Sequence, residues 1–342
     1  MTSDGGTIPI FLLTGFLGSG KTTLLSRLIR SEGFADTAVV INEFGDVGLD
    51  HILVSEGEEI DAVLLESGCL CCTLSGSLES TLEALYYKRE RGEIPFFRRL
   101  VIETTGLADP SAIASSLSVS RVIARRFHLA AIVTTVDGLQ GDTQIAEFDE
   151  ARLQVLLADQ ILITKADEAS PDELAAAVRR VAWLNPTAPR QPIAQGDIAA
   201  EQVFLPGAQS DAATRANQHA VADALHSGHD HDHHGHSHLH EHGYVSRVLD
   251  APDGLTQARY AAWVRILQKR LGERLLRVKG FARWEDGGLR ALQGVRLVFD
   301  QPKAIDWMPP ASAIGKIVLI GRDLSAEDLA LAQNALAGQS AP

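Results

Sequence analysis

The chain has 342 residues, 45% hydrophobic and 22% charged, which is enough for two globular domains with buried cores. Its formal net charge of −13 argues against a nucleic-acid-binding protein, which would need a basic face. No apolar run approaches the roughly 18 residues that a membrane-spanning helix needs. Residues 1–6 lack the basic start of a signal peptide, so we predict a cytoplasmic protein without membrane contact.

The first motif in the chain is residues 15–22, GFLGSGKT, which fits the phosphate-binding pattern G-x-x-x-x-G-K-[ST]. It follows an apolar stretch, residues 8–14, that predicts a buried strand. It precedes residues 23–30, whose apolar side chains have helical spacing. In this arrangement the loop amides and the helix N-terminus face a phosphate. The alternative is a glycine-rich turn that binds nothing.

This motif predicts a nucleoside triphosphate as ligand, with Mg²⁺. Lys21 would reach the β- and γ-phosphates and act in hydrolysis, and the hydroxyl of Thr22 would hold Mg²⁺. The predicted nucleotide-binding residues of this motif are Gly15, Gly18, Ser19, Gly20, Lys21, Thr22 and Thr23.

An acidic segment follows the second predicted strand, residues 37–41. Ligands of open α/β sheets bind at the carboxyl ends of the strands. Glu43, Asp46 and Asp50 are therefore candidates for holding Mg²⁺ or a second metal. The alternative is a solvated acidic loop.

All three cysteines of the chain, Cys69, Cys71 and Cys72, fall within four positions after a short predicted strand, residues 62–65. Thiolates are soft ligands that suit Zn²⁺ and similar ions. Three sulfurs on one loop would occupy three corners of a tetrahedron and leave the fourth for Glu43, a histidine, water or a client ligand. Free buried cysteines, a disulfide and redox sensing are the alternatives.

Two more strands are predicted to end in functional loops. Glu103 follows an apolar strand, residues 100–102, with a glycine three positions on, where a nucleotide hydrolase senses Mg²⁺ and the γ-phosphate. Residues 164–167, TKAD, follow the strand 160–163. Asp167 would accept hydrogen bonds from guanine N1 and its 2-amino group, and Lys165 would lie along the base. The alternative is a charged strand-to-helix loop.

The predicted elements alternate between strand and helix, with a further strand at residues 128–136 and helices at residues 74–90 and 171–184. This alternation predicts a doubly wound, mostly parallel α/β sheet in residues 1–205.

Residues 206–243 have a different composition, rich in Gly, Ser, Asp and His. Such a segment cannot bury a core, and we expect it to be disordered without metal. It is interpreted as a low-specificity metal reservoir, or as a linker without a role. Nine of its histidines fall in one short tract: His226, His229, His231, His233, His234, His236, His238, His240 and His242.

Residues 244–342 predict a second, smaller α+β domain. A helix at 256–271 precedes a hairpin of residues 275–284 and 289–299. A strand at 316–320 and a final helix from Ser325 follow.

Together these motifs resemble the CobW family of P-loop GTPases and metallochaperones, over the whole chain. The segments that carry the resemblance are residues 15–23, 42–45, 68–72, 103–110 and 164–167. The resemblance implies GTP hydrolysis coupled to delivery of a transition metal, zinc or cobalt, to a client metalloprotein. Thr164 departs from the asparagine usual in the guanine motif, and residues 293–296 lack the histidines expected there.

Two other functions compete with a GTP-driven metallochaperone. A nucleotide kinase with a structural metal would need an arginine-bearing lid, which the sequence does not reveal. A metal store or sensor using the histidine tract would leave the phosphate loop and residues 164–167 unexplained. The sequence is also compatible with a homo-oligomer.

Overall fold

The computed structural model describes residues 7–42, 62–64, 70–73, 78–204, 243–305, 308–309 and 311–339. The chain divides into two compact units, Met1–Ala213 and Thr214–Pro342. The predicted linker, residues 206–243, lies outside the described residues apart from Gly243.

The first unit is built on an eight-stranded sheet with the order β3-β4-β2-β5-β1-β6-β7-β8. All neighbouring pairs are parallel except β3 with β4. This confirms the predicted fold class. The strands are β1 Ile8–Gly15, β2 Thr37–Asn42, β3 Ala62–Leu64, β4 Leu70–Thr73, β5 Arg99–Thr104, β6 Phe127–Asp137, β7 Gln160–Thr164 and β8 Arg190–Pro192.

Helices cover both faces of this sheet. The helices of the unit are α1 Lys21–Leu28, α2 Leu78–Glu90, α3 Pro110–Val119, α4 Arg121–Ala124, α5 Gly141–Glu147, α6 Asp149–Leu157, α7 Pro171–Leu184 and α8 Ala200–Phe204. Helices α1 and α8 pack against Phe11 and Leu13 of β1 in one core cluster. Because alternate strand residues point to opposite faces, Ile10 and Leu12 face the other side, where α6 contacts β1 and β6.

Helix starts in this unit follow from local sequence. Ser170 forms a capping box with Glu173, and Pro171 occupies the first turn of α7, where its missing N–H costs nothing. Asp109 caps α3 by accepting a hydrogen bond from the Ser111 amide. The last residues of β1, β5 and β7 lie at one edge of the sheet, because the three strands are parallel.

The second unit contains an antiparallel sheet of order β12-β11-β10-β14-β9, with β13 paired to β11. Its elements are β9 Tyr244–Asp250, α9 Gln257–Arg270, β10 Leu275–Arg283, β11 Leu289–Val295, β12 Val298–Phe299, β13 Lys303–Ala304, β14 Lys316–Arg322 and α10 Ala326–Ala337. Trp263 of α9 is fully buried and donates from Nε1 to the carbonyl of Ala332 in α10 at 3.0 Å. This bond ties the two helices together over one core. The predicted smaller α+β domain is thereby confirmed.

Two details of the sequence analysis were wrong. The strand predicted over residues 289–299 is interrupted, because Arg296 adopts a φ of 50° and turns the chain between β11 and β12. The sequence predicts a loop at Cys71 and Cys72, whereas their backbone belongs to β4, in register with Val39 and Val40 of β2. The helix predicted from residue 74 is described only from Leu78.

Candidate nucleotide site

The phosphate loop has the backbone that its glycines allow. Gly15 has a φ of 148°, and a Cβ atom there would lie 2.2 Å from Thr135 Oγ1 and 2.5 Å from the Thr135 carbonyl oxygen. Gly20 begins α1 in the left-handed region with a φ of 83°. Both positions therefore require glycine, one for close approach to β6 and one for the turn into the helix.

Lys21 is folded over this loop. It is 6% exposed, and its Nζ donates to the carbonyl oxygens of Gly15 at 2.9 Å and Phe16 at 3.3 Å. The ammonium group is therefore already positioned at the loop, where a phosphate would meet it. Thr23, the next predicted ligand after Thr22, is exposed on the first turn of α1, and Gly18 is exposed at the loop tip.

The structure brings together Thr22 and Glu103, two of the residues predicted to act at Mg²⁺. Thr22 Oγ1 donates to Glu103 Oε1 at 2.9 Å, although 81 positions separate them in the sequence. Glu103 is fully buried at the end of β5, next to β1, which leads into the phosphate loop. A hydroxyl and a carboxylate side by side are hard oxygen donors of the kind that Mg²⁺ takes in nucleotide sites. The donor set therefore fits the predicted ion.

The loop after Glu103 lies directly against the phosphate loop. A Cβ atom on Gly106 would lie 2.8 Å from the Leu17 backbone nitrogen and 2.9 Å from its Cα. Backbone cannot move aside as a side chain can, so glycine is required at this contact. Residues 103–106 thus lie against the phosphate loop, and their contact with the terminal phosphate of a bound nucleotide stays a prediction.

Thr164, the departure from the usual asparagine, also contacts the phosphate loop. Its hydroxyl donates to the Ser19 carbonyl at 2.8 Å and is 3.2 Å from the Val136 carbonyl. The Ser19 side chain is fully buried and is hydrogen-bonded to Thr135 Oγ1 at 2.7 Å. Ser19, predicted as a nucleotide ligand, therefore uses its hydroxyl within the protein, and its amide donates to the Phe16 carbonyl at 3.1 Å.

Lys165 is held by a residue that the sequence analysis did not single out. Its Nζ lies 2.6 Å from Asp137 Oδ2, and the Asp137 side chain is only 4% exposed. The other carboxylate oxygen of Asp137 accepts from the amides of Leu139 and Gln140. Asp167 is exposed, two residues further on. For Asp137, the only sequence signal of a role in the site was its position at the end of a predicted strand.

The sequence also did not indicate a second segment of the site, residues 193–196. The Ile193 carbonyl accepts from the Ala166 amide at 3.2 Å, which joins the chain after β8 to the predicted base loop. Gln195 has a φ of 48° and accepts a hydrogen bond from Arg27 of α1 at 3.2 Å. This segment therefore borders the base loop on one side and α1 on the other. Glycine at position 196 was its only sequence signal.

The predicted metal ligands are incompletely described. Glu43, Asp46, Asp50, Cys69 and the histidine tract lie outside the described residues, and for Cys71 and Cys72 the backbone alone is described. Within the described part of the chain, no three His, Cys, Asp or Glu residues are grouped to hold a metal ion. Nor does any described helix have the length and apolarity to cross a membrane.

Comparisons with known proteins decide the family. Residues 9–191 match the family "CobW/HypB/UreG, nucleotide-binding domain", and residues 244–336 match "Cobalamin synthesis protein cobW C-terminal domain". The chain belongs to the CobW/HypB/UreG family. The predicted family and its class, a P-loop GTPase, are thereby confirmed.

Of two curated relatives, one is similar over most of the chain and the other over about half of it. The zinc chaperone YjiA of Escherichia coli is 31% identical over 334 residues, covering 94% of this chain and 96% of the relative. The zinc-regulated GTPase metalloprotein activator 1 of Schizosaccharomyces pombe is 33% identical, covering 52% of this chain and 44% of the relative.

A solved structure, the Zn(II)-bound YjiA GTPase from E. coli, matches with a TM-score of 0.70 and 28% identity. The match covers 98% of this chain and all of that one. The likeness therefore extends through both units.

Proposed function

We propose that this protein is a cytoplasmic GTP-hydrolysing metallochaperone that binds zinc and delivers it to a client metalloprotein. The observation that carries the proposal is the Thr22–Glu103 hydrogen bond beside a positioned Lys21, in a chain similar along its length to a zinc chaperone. Zinc is preferred over cobalt because the similar proteins are named for zinc.

Hydrolysis is assigned to the groups assembled around the phosphate loop. Lys21 would neutralise charge that develops on the transferred phosphoryl group. Thr22 and Glu103 would hold Mg²⁺, which neutralises the phosphate oxygens when bound. Asp167 would select guanine, and Glu43 would join the site from the end of β2.

The zinc site is proposed at Cys69, Cys71 and Cys72, with Glu43 as a fourth ligand. Support comes from the sheet order β4-β2-β5-β1, which runs from the cysteine segment to the phosphate loop. Three strand spacings separate β4 from β1, which is about 14 Å. Asn42, which precedes Glu43, is in register with Thr104, which follows Glu103. A nucleotide-dependent shift of either loop would therefore reach the other.

The first experiment measures turnover of GTP and ATP, with and without Zn²⁺, in wild type and Lys21→Ala. We expect that the wild type hydrolyses GTP, that this activity requires Lys21, and that ATP is hydrolysed little. Turnover in Lys21→Ala within threefold of wild type would remove the hydrolase from the proposal. Phosphate transfer to a second nucleotide would favour a kinase instead.

The second experiment tests the coupling of zinc to nucleotide. Zn²⁺ is titrated into protein lacking residues 226–242, with GDP and with a non-hydrolysable GTP analogue, and Cys71→Ser and Cys72→Ser are the variants. We expect one tight site, lost in both variants, whose affinity differs about 5–150-fold between nucleotides. Linkage requires that zinc change the preference between the nucleotides by the same factor. Equal zinc affinities in the two states would contradict the coupling, and loss of the tight site on deletion would assign it to the histidines.

A further inference from the structure

Gln154 of α6 makes two bonds to the loop that faces the phosphate loop. Its side chain is 1% exposed, and Nε2 donates to the carbonyl oxygens of Gly106 and Ala108, each at 3.1 Å. A primary amide carries two N–H donors, so one side chain satisfies both carbonyls and uses its whole donor capacity. Gln154 is thereby joined to Gly106 and Ala108, which precede it by 48 and 46 positions in the sequence.

Gln154 is itself fixed to the central sheet. Its backbone carbonyl accepts from Thr134 Oγ1 of β6 at 3.0 Å. The C-terminal end of α6 is held separately by Asn185, whose Nδ2 donates to the carbonyls of Val155 at 2.8 Å and Ala158 at 3.0 Å. The amide of Gln154 therefore projects from a helix that is anchored at Gln154 itself and at its C-terminal end.

The side chain also carries an energetic cost. Gln154 Oε1 is buried and has no hydrogen-bond partner in the described part of the chain. A buried acceptor without a partner destabilises the fold. If Gln154 served only to fill space in the core, an apolar side chain of similar length would do so without this cost. What an apolar residue cannot supply is the pair of donors to the loop.

The loop is therefore fixed at three points. Thr22 bonds Glu103 at its start, the Leu17 backbone contacts Gly106, and Gln154 holds the carbonyls of residues 106 and 108 from the other side. We propose that Gln154 is a positioning residue that holds residues 106–108 against the phosphate loop in the arrangement required for the γ-phosphate of GTP. This inference rests on the proposed GTP hydrolysis.

The test compares Gln154→Met, which keeps side-chain length and removes the donors, with Asn185→Leu. The control also removes a buried amide that donates to backbone carbonyls around α6. Among the described residues, Asn185 makes no hydrogen bond to residues 103–110. The measurements are the affinities for GDP and a non-hydrolysable GTP analogue with Mg²⁺, single-turnover GTP hydrolysis, and hydrogen exchange of residues 103–110.

For Gln154→Met we expect affinity for the GTP analogue to fall roughly tenfold relative to affinity for GDP, about 1.4 kcal/mol. Hydrolysis should fall by a similar factor or more, and exchange at residues 106–108 should rise. Asn185→Leu should lower thermal stability while the ratio of the two affinities stays at the wild-type value. An unchanged ratio and unchanged exchange in folded Gln154→Met would overturn the proposal.

Gln154→Glu supplies an independent measurement if the methionine variant fails to fold. Its ionised carboxylate has no donor, whereas the protonated carboxyl regains one. Its hydrolysis relative to wild type should therefore rise as pH falls, and a flat ratio contradicts the positioning role. If wild type itself does not hydrolyse GTP, the proposed function fails, while the affinity ratio and the exchange still decide whether Gln154 holds the loop.

Discussion

Thr164 donates a hydrogen bond to the backbone carbonyl of Ser19 at 2.8 Å, across 145 positions of sequence. This bond joins the predicted base loop to the phosphate loop, so the two ends of a bound nucleotide would contact one connected unit. The position usually held by asparagine in this motif thus keeps a donor to the phosphate loop, in a shorter side chain.

Thr164→Val should weaken GTP and GDP binding by similar factors. Valine has nearly the same shape but leaves the buried Ser19 carbonyl without its donor, which costs about 1–3 kcal/mol. Titration calorimetry with both nucleotides measures the effect, and Thr164→Ser, which keeps the hydroxyl, is the control. Binding within twofold of wild type in the valine variant would show that the bond does not support the site.

Glu103→Gln should raise the Mg²⁺ concentration needed for half-maximal GTP hydrolysis by about tenfold or more. A neutral amide binds a divalent cation more weakly than a carboxylate does. The measurement is a Mg²⁺ titration of turnover. Glu147→Gln, an exposed position on α5, is the matched control and should behave as wild type. An unchanged Mg²⁺ requirement would remove Glu103 from the proposed ion site.

Asp137→Asn should reduce affinity for GTP and GDP alike, by about tenfold, because Lys165 loses the buried partner that aligns it. Asp142 provides the comparison, since it pairs with Arg180 at 2.7 Å with both side chains at least a third exposed. Exposed pairs contribute about 0–1 kcal/mol, so Asp142→Asn should change little. Equal effects of the two variants on nucleotide affinity would contradict a special role for Asp137.

Asp167→Asn should weaken GTP binding and favour xanthosine triphosphate. An amide can donate to the 2-oxo group of xanthine, where a carboxylate cannot. Competition between the two triphosphates for a fluorescent nucleotide measures the change in preference. Wild-type protein that hydrolyses ATP as readily as GTP would show that the guanine assignment is wrong.

The second unit should show an acid-dependent stability through Asp328. The hydrogen bond from Arg274, helped by bonds from Ser325, holds the pKa of Asp328 below its usual range. A lowered folded-state pKa stabilises the fold above the unfolded value, about 3.9, and this contribution disappears as pH falls through the folded-state pKa. Asp328→Asn should therefore lower the unfolding midpoint at pH 7, and its difference from wild type should shrink as pH falls below about 3.9. A constant difference across this range would contradict the linkage.

Much of the site was predictable because its parts are local. The glycine pattern at residues 15–22 defines a turn into a helix, and the alternation of apolar strands with helices defines a doubly wound sheet. Lys21, Thr22 and Glu103 followed from these motifs, and the structure places all three at one edge of the sheet. Short motifs determine local backbone conformation, so this conformation can be predicted from the sequence without knowledge of the tertiary structure.

Contacts between distant segments were decided only by the tertiary structure. The sequence did not point to Asp137 as the partner of Lys165, to Gln154 as the residue that holds the loop at Gly106, or to a strand through Cys71. Strand order brings these segments together, and strand order depends on which apolar faces pack best across the whole chain. A buried glutamine on a helix has no signature of its own in the sequence. The role proposed for Gln154 depends on the two carbonyls that the folded chain places beside its amide.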